Sequence, residues 1–357
     1  MPLRDLLRVL GSSDTRDGRN LTHDEAFRAF EVILSGDAGD IQIAAFLMAM
    51  RWKGVRVDEL TGFARAARAR ATLPCRGMDG VVCVSPPHDG HDGIPPLDAA
   101  ASLVAAAAGA RVLLITDRCV PPKRGLTAIS VLQYIGTGVT WDPAEAEHWV
   151  QKARFAAIAV SGMLPEILNL REVRKSLGVR TPLHTVEKLI APASAAVVLG
   201  AQHGPVLGTA VETIAGLGHP RGIAIQGLDG GVIPTVRRRT RGIELTGTHQ
   251  VPLGIEPGDL GLACTSDPEL PMYGPPENDD EGTGDNPLLV EAAGCIVEGV
   301  LRGETGPARN ATLLGAAIIL KAAGRALTLA EGVDQAVNAL DAGAAQEVLA
   351  KVRRLAG

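Results

Sequence analysis

The run from Val81 to Thr116 constrains the fold of this chain most. Val81-Val82-Cys83-Val84 is a short apolar run; the loop SPPHDGHDGIPP (85–96), the alanine-rich AAASLVAAAAG (99–109) and RVLLIT (111–116) follow it. Short valine-rich runs favour buried strands, and alanine-rich stretches favour helix. Strand, loop, helix and strand in that order make a right-handed βαβ unit of a parallel sheet. Further strand–helix pairs are expected around AAIAV (156–160), AAVVLG (195–200) and GIAIQG (222–227). Composition agrees. Hydrophobic residues make up 46% of the 357 residues but aromatics only 3%, so the core must be built from Ala, Val, Leu and Ile.

Before that unit the texture is helical. Thr22 followed by Glu25 is a capping box, with Ala26, Phe27, Phe30 and Ile33 at helical spacing and Gly36 as the stop. The segment IQIAAFLMAMRWKG (41–54) is apolar almost all round, which predicts a helix buried against neighbours, and VDELTGFARAARARA (57–71) makes a third. Residues 1–20 are expected to form an extension or a short first helix. Residues 246–286, rich in Gly, Pro and acid, read as a long mobile loop, and helix resumes from Asn286.

Several classes of protein are excluded or disfavoured. No apolar run approaches the roughly 18–20 residues of a membrane span, and the start MPLRDLLRVLG is too short and charged for a secretion signal. Cys75, Cys83, Cys119, Cys264 and Cys295 are scattered, which predicts reduced thiols in a cytoplasmic protein. The net charge of −5 argues against a wholesale nucleic-acid coat, yet RRRTR (237–241) and ENDDEGTGD (277–285) segregate the charge locally.

Four segments in order resemble the anthranilate phosphoribosyltransferase family. SGDAGDIQIAAFLMAMRWKG followed by DELTGFARAAR is similar to its N-terminal helical domain, EVRKSLGVRTP to its R-x-x-LG-x-RT segment, and GETGPARNATLLGAAIILKAAG to its GPARD helix pair. The resemblance implies an α/β fold of nucleoside phosphorylase/phosphoribosyltransferase type. It has a small N-terminal helical domain at 1–75, on which part of 160–185 packs, and a larger α/β domain at 76–357 with a mostly parallel central sheet flanked by helices. It also implies displacement at the anomeric carbon of phosphoribosyl pyrophosphate, with amides cradling the pyrophosphate and carboxylates holding magnesium.

Those motif positions differ here. GTGGDG falls on Ser85-Pro86-Pro87-His88-Asp89-Gly90, N-x-ST on Pro96-Leu97-Asp98-Ala99, KHGN on Leu114-Ile115-Thr116-Asp117, and DGLDE on Asp229-Gly230-Gly231-Val232-Ile233. FNLLGPL is replaced by LHTVEKL (183–189). The differences resemble a branch of the family with a degenerate active site that binds nucleic acid without sequence preference. The expectation is therefore a non-catalytic protein without cofactor, metal or catalytic residues, dimerising through its helical domain and binding DNA or RNA through backbone phosphates. The alternative is a phosphoribosyl- or glycosyltransferase, or a nucleoside-phosphorylase-like enzyme, with a rebuilt site.

The binding residues nominated are cationic. Arg237, Arg238, Arg239 and Arg241 put four fixed charges within five positions, suited to phosphate; the rival reading is a solvated loop paired with the acidic 277–285 segment. Arg171, Arg174 and Lys175 share a helix, and the resemblance places Arg174 on the anthranilate carboxylate. Arg118, Lys123 and Arg124 flank a Pro-Pro turn at a strand's carboxyl end, where open α/β sheets bind ligands. Arg180 reads as structural, as do His184 and His203, and Cys119 is too isolated for a nucleophile. His88, Asp89, His91 and Asp92 lack the geometry and the further ligand a metal needs.

Overall fold

The computed structural model describes residues 3–11, 19–271, 284 and 286–357. The chain starts with four helices, α1 (Leu3–Leu10), α2 (His23–Ser35), α3 (Asp40–Lys53) and α4 (Val57–Arg70). The Thr22–Glu25 capping box is formed, and Gly36 closes α2 in the left-handed region at φ +80°, a conformation that Gly adopts without strain. This helical layer concentrates the scarce aromatics. The rings of Phe30 and Phe63 lie 5.4 Å apart and those of Phe46 and Phe63 5.9 Å apart, all three buried. Buried Glu59 ties the layer together, accepting from the amides of Leu21 and Arg56 at 2.8 and 2.9 Å and pairing with Lys53 at 2.5 Å.

A seven-stranded sheet follows: β1 (Val81–Ser85), β2 (Arg111–Thr116), β3 (Phe155–Ala159), β4 (Ala196–Gly200), β5 (Arg221–Ile225), β6 (Thr240–Thr246) and β7 (His249–Ile255). Their order is β3-β2-β1-β4-β5-β6-β7, parallel from β3 through β5 and antiparallel for β6 and β7. The helices between and after the strands are α5 (Asp98–Ala107), α6 (Ala128–Tyr134), α7 (Pro143–Ala153), α8 (Val160–Met163), α9 (Arg171–Leu177), α10 (Leu183–Glu187), α11 (Gly204–Gly216), α12 (Pro287–Leu301), α13 (Pro307–Ala322), α14 (Leu329–Asp341) and α15 (Ala344–Ala356). β1–β4 are buried almost throughout, as strands covered on both faces must be. Helix α13 packs on β1, β4, β5 and α5, while α11 packs on β5, β6 and α4. The α9 region and the 3-10 turn Pro165–Leu170 pack on α3 and α2, and α10 packs on α4.

The expected small helical domain plus larger α/β domain with a mostly parallel sheet is the observed architecture. One sequence expectation needs correction. Residues 246–255 are not loop: β6 and β7 form a hairpin turning at Gly247, φ +59°, and Thr248. Pro252 and Gly254 make that stretch look irregular, but β7 is the sheet's edge, where a proline's missing N–H is tolerated. The acidic 277–285 segment lies, Gly284 apart, outside the described residues. No described helix is long and apolar enough to cross a membrane.

Candidate active site

Strand order reverses direction at β1: β2 and β3 lie to one side of it, β4 and β5 to the other. Loops leaving the carboxyl ends of adjacent strands at such a point diverge and open a crevice, the general ligand site of open α/β sheets. A cleft of about 560 Å³ opens there. Pro87, His88 and Asp89 enter it from the end of β1, Gly200 to His203 from the end of β4, and Arg180, Thr181, His184, Thr185 and Lys188 from around α10. Its other wall is the helical layer, through Met50, Arg51 and Val55.

The polar groups are fixed from beneath. Buried Asp89 receives the Arg180 guanidinium through Nε at 2.7 Å and Nη2 at 2.9 Å, and Arg180 Nη1 donates to Gln202 at 2.6 Å. His88 Nε2 is 3.2 Å from the carbonyl of Ile115. Burial, then the charges of Lys188 and Arg174, hold its pKa down to about 3, so the ring is neutral. A carbonyl only accepts, so the neutral ring carries its proton on Nε2. Nδ1 is left as a buried acceptor without a partner. Lys188, which caps α10, donates from Nζ to the carbonyl of Gly200 at 2.6 Å. Burial, then Arg180, lowers its pKa to about 8, against the opposing pull of Asp89 and Glu187. Gly200 must be glycine, because a Cβ there would collide with the carbonyl oxygen of Gly230.

A second cluster lies beside the cleft. His91 is 3.9 Å from Asp98 and 3.7 Å from Asp229, and Lys123 pairs with both Asp229 and Asp92. Asp98, at the start of α5, is 1% exposed with neither oxygen hydrogen-bonded, and burial raises its pKa.

None of the nominated cations lines the cleft. Arg174 is 1% exposed, its Nε donating to the carbonyl of Pro121 at 3.1 Å and its Nη1 to Glu187. Arg171 pairs with Asp117 at 3.1 Å, and Lys123 with Asp229. Arg118 reaches Gln133, Arg124 is half-buried at φ +48°, and Lys175 is exposed on α9. Arg237, Arg238 and Arg239 are exposed in the bend before β6 and Arg241 is exposed on it; Arg239 lies over Gly254 of β7. These side chains are divided among ion pairs, a buried pair and the edge hairpin. The cleft's own cations are Arg51, Arg180 and Lys188. Sequence reasoning treats Arg180 as structural and passes over Lys188, although the change from FNLLGPL to LHTVEKL marks its position.

The positions that the resemblance assigns to magnesium carboxylates hold Val232 and Ile233, 2% and 5% exposed. Nearby Asp229 is already tied to Lys123 and to the amide of Asp92. Among the described residues no group of three His, Cys, Asp or Glu is placed to hold a metal ion. These side chains do not fit the magnesium site of the resemblance.

The fold and its switch-point cleft define a transferase-type α/β scaffold, and the chain belongs to the glycosyl transferase family. The family's helical bundle domain matches residues 13–71 and its a/b domain residues 92–346. Its relatives include anthranilate phosphoribosyltransferases from Solibacter usitatus, 31% identical over 95% of this chain and 94% of theirs, and Geotalea daltonii, 32% identical over 94% and 95%. The fold is that of anthranilate phosphoribosyltransferase from Thermus thermophilus, with a TM-score of 0.77 at 24% identity over 95% of this chain and 97% of that one. The Saccharomyces cerevisiae enzyme bears the same likeness, at 0.79 and 14% over 99% and 97%. The expectation of a non-catalytic, nucleic-acid-binding protein with a degenerate site is thereby corrected, since relatives near 30% identity along nearly the whole chain are named as phosphoribosyltransferases.

Proposed function

We propose that the protein is a glycosyl transferase with a rebuilt site, moving a pentosyl group between a phosphate-type leaving group and a nitrogen acceptor in the cleft between the helical layer and the sheet. In such a transfer the bond from the anomeric carbon to the leaving oxygen breaks, the acceptor nitrogen bonds to that carbon, and the acceptor gives up a proton. The observation that carries the reading is the cleft itself. It lies at the strand-order switch point, it is walled by both family domains, and it presents fixed cations, Arg180 and Lys188, beside a neutral imidazole, His88. Preorganised charges of this kind stabilise the charge that develops on a departing phosphate. The relatives' names supply the donor to try first, phosphoribosyl pyrophosphate.

The test is to incubate purified protein with phosphoribosyl pyrophosphate and anthranilate, other aromatic amines or nucleobases, with and without magnesium. A parallel arm offers nucleosides with inorganic phosphate. Acceptor-dependent pentosyl transfer in one of these arms is the expected result. Donor left intact in every arm would contradict the reading.

A further inference from the structure

Charged groups withdrawn from water inside a protein are ordinarily paired. Two of the three buried or half-buried cations around α10 obey that rule: Arg174 is held by Glu187 and Arg180 by Asp89. Lys188 does not. Among the described residues no carboxylate lies within ion-pair distance of its Nζ, whose one protein acceptor is the carbonyl of Gly200. Two of its N–H bonds are therefore unused, and Lys188 lines the cleft. Two other lining residues carry a buried polar atom without a hydrogen-bond partner, His88 at Nδ1 and Thr181 at Oγ1.

Glu187 and Lys188 are neighbours in sequence with opposite effects. Glu187 turns inward, is 1% exposed and neutralises Arg174, which lies outside the cleft lining. Lys188 brings to the cleft a charge that, among the described residues, no carboxylate contacts directly. The pair thus removes one cation from reach of a ligand and supplies another from a different direction.

We propose that Lys188 is the counter-charge for an oxyanion, a carboxylate or a phosphate, on a ligand bound in the cleft, and that Arg174 is a structural residue with no part in ligand recognition. The inference rests on the reading of the cleft as the transfer site and makes Lys188 its specificity-determining cation. Hydrogen bonds to charged groups contribute about 1.5–3 kcal/mol, or roughly ten- to a hundredfold in affinity.

The experiment titrates the full chain calorimetrically with inorganic phosphate and with benzoate at pH 7. This separates a phosphate source from a carboxylate source, both anionic at that pH. Binding of at least one probe is expected. It should weaken about tenfold or more in Lys188→Met and recover in part in Lys188→Arg. The paired swap Arg174→Met with Glu187→Leu should stay within about threefold of the parent, because replacing both partners leaves no orphaned charge. Circular dichroism confirms each fold, and lysine-selective NMR of the unmodified protein reads the Lys188 ammonium signal as the probe is added, without any variant. The inference is overturned if neither probe binds. It is equally overturned if Lys188→Met binds as the parent does, if the folded paired swap loses binding as Lys188→Met does, or if the Lys188 signal stays fixed at saturation. Probe binding that depends on Lys188 without pentosyl transfer would sink the transferase reading alone. Transfer that persists undiminished in Lys188→Met would sink this inference alone.

Discussion

Neutral imidazoles and a depressed lysine make the stability of the molecule rise with pH in two separate windows. Burial holds His88 at about 3 and His219 at about 4, and His184 well below its ordinary value. Each folded pKa lies below the unfolded value near 6.5, so the unfolded chain binds more protons between the two. Stability should be full above that value and fall as the pH drops, by roughly 1.4 kcal/mol per pH unit for each group. Urea midpoints from pH 7 to 4.5 should show the decline and a shallower one in His219→Asn; superimposable curves would refute it. Lys188, at about 8, is faced by Arg180, Asp89, Glu187 and His88. Between pH 8 and the unfolded lysine value the unfolded chain again holds the extra proton, so Lys188 should add stability as pH rises there. The same deprotonation removes the cation from the cleft. Phosphate or benzoate binding by calorimetry should therefore fade through about pH 8, opposite in sign to the stability.

Two elements show how local chemistry fixes the backbone. The end of β4 passes so close to the Leu228–Gly230 turn that a Cβ on Gly200 would collide with the backbone carbonyls of Gly230 and Gly231. Gly200→Ala should cost about 1–3 kcal/mol, as overpacking does, visible as a lowered urea midpoint; an unchanged midpoint would mean that the turn yields freely. At the head of α2 the Thr22 hydroxyl accepts from Glu25 N at 3.3 Å, so Thr22→Ala should cost about 1 kcal/mol. The βαβ unit and the caps were legible because each rests on local chemistry: valine runs, alanine runs, a hydroxyl three residues before a glutamate. The β6–β7 hairpin was hidden by Pro252 and Gly254, whose acceptability depends on lying at a sheet edge, which no local pattern encodes. The site was harder still. Arg174 and Lys188 look alike as letters, and only the fold turns one onto Glu187 and the other toward the cleft. RRRTR drew notice for its density, yet density of charge says nothing of what it faces.

The helical layer leaves one face of α3 open. Ile41 and Trp52 are 86% and 90% exposed and lie three turns apart, with Ala45 and Met48 between them on the same side. An apolar stripe of this size is ordinarily covered. We propose that a second copy of the chain covers it, giving a two-fold dimer through the helical layer. Sedimentation equilibrium at micromolar concentration should return twice the chain mass, and Ile41→Glu with Trp52→Glu should return one; a monomeric parent protein would refute the dimer. The central claim is that pentosyl transfer occurs in the switch-point cleft, and one measurement addresses both the chemistry and the place. Val206, 39% exposed on α11, lines the cleft, and Val206→Trp would obstruct it with an indole. Phosphoribosyl pyrophosphate labelled with ¹³C at the anomeric carbon can be followed by NMR with each acceptor. The label should move to a new nitrogen-bound resonance with the parent protein and stay in the donor with Val206→Trp. A label that never moves with the parent protein, or moves equally well with the cleft obstructed, would contradict the account.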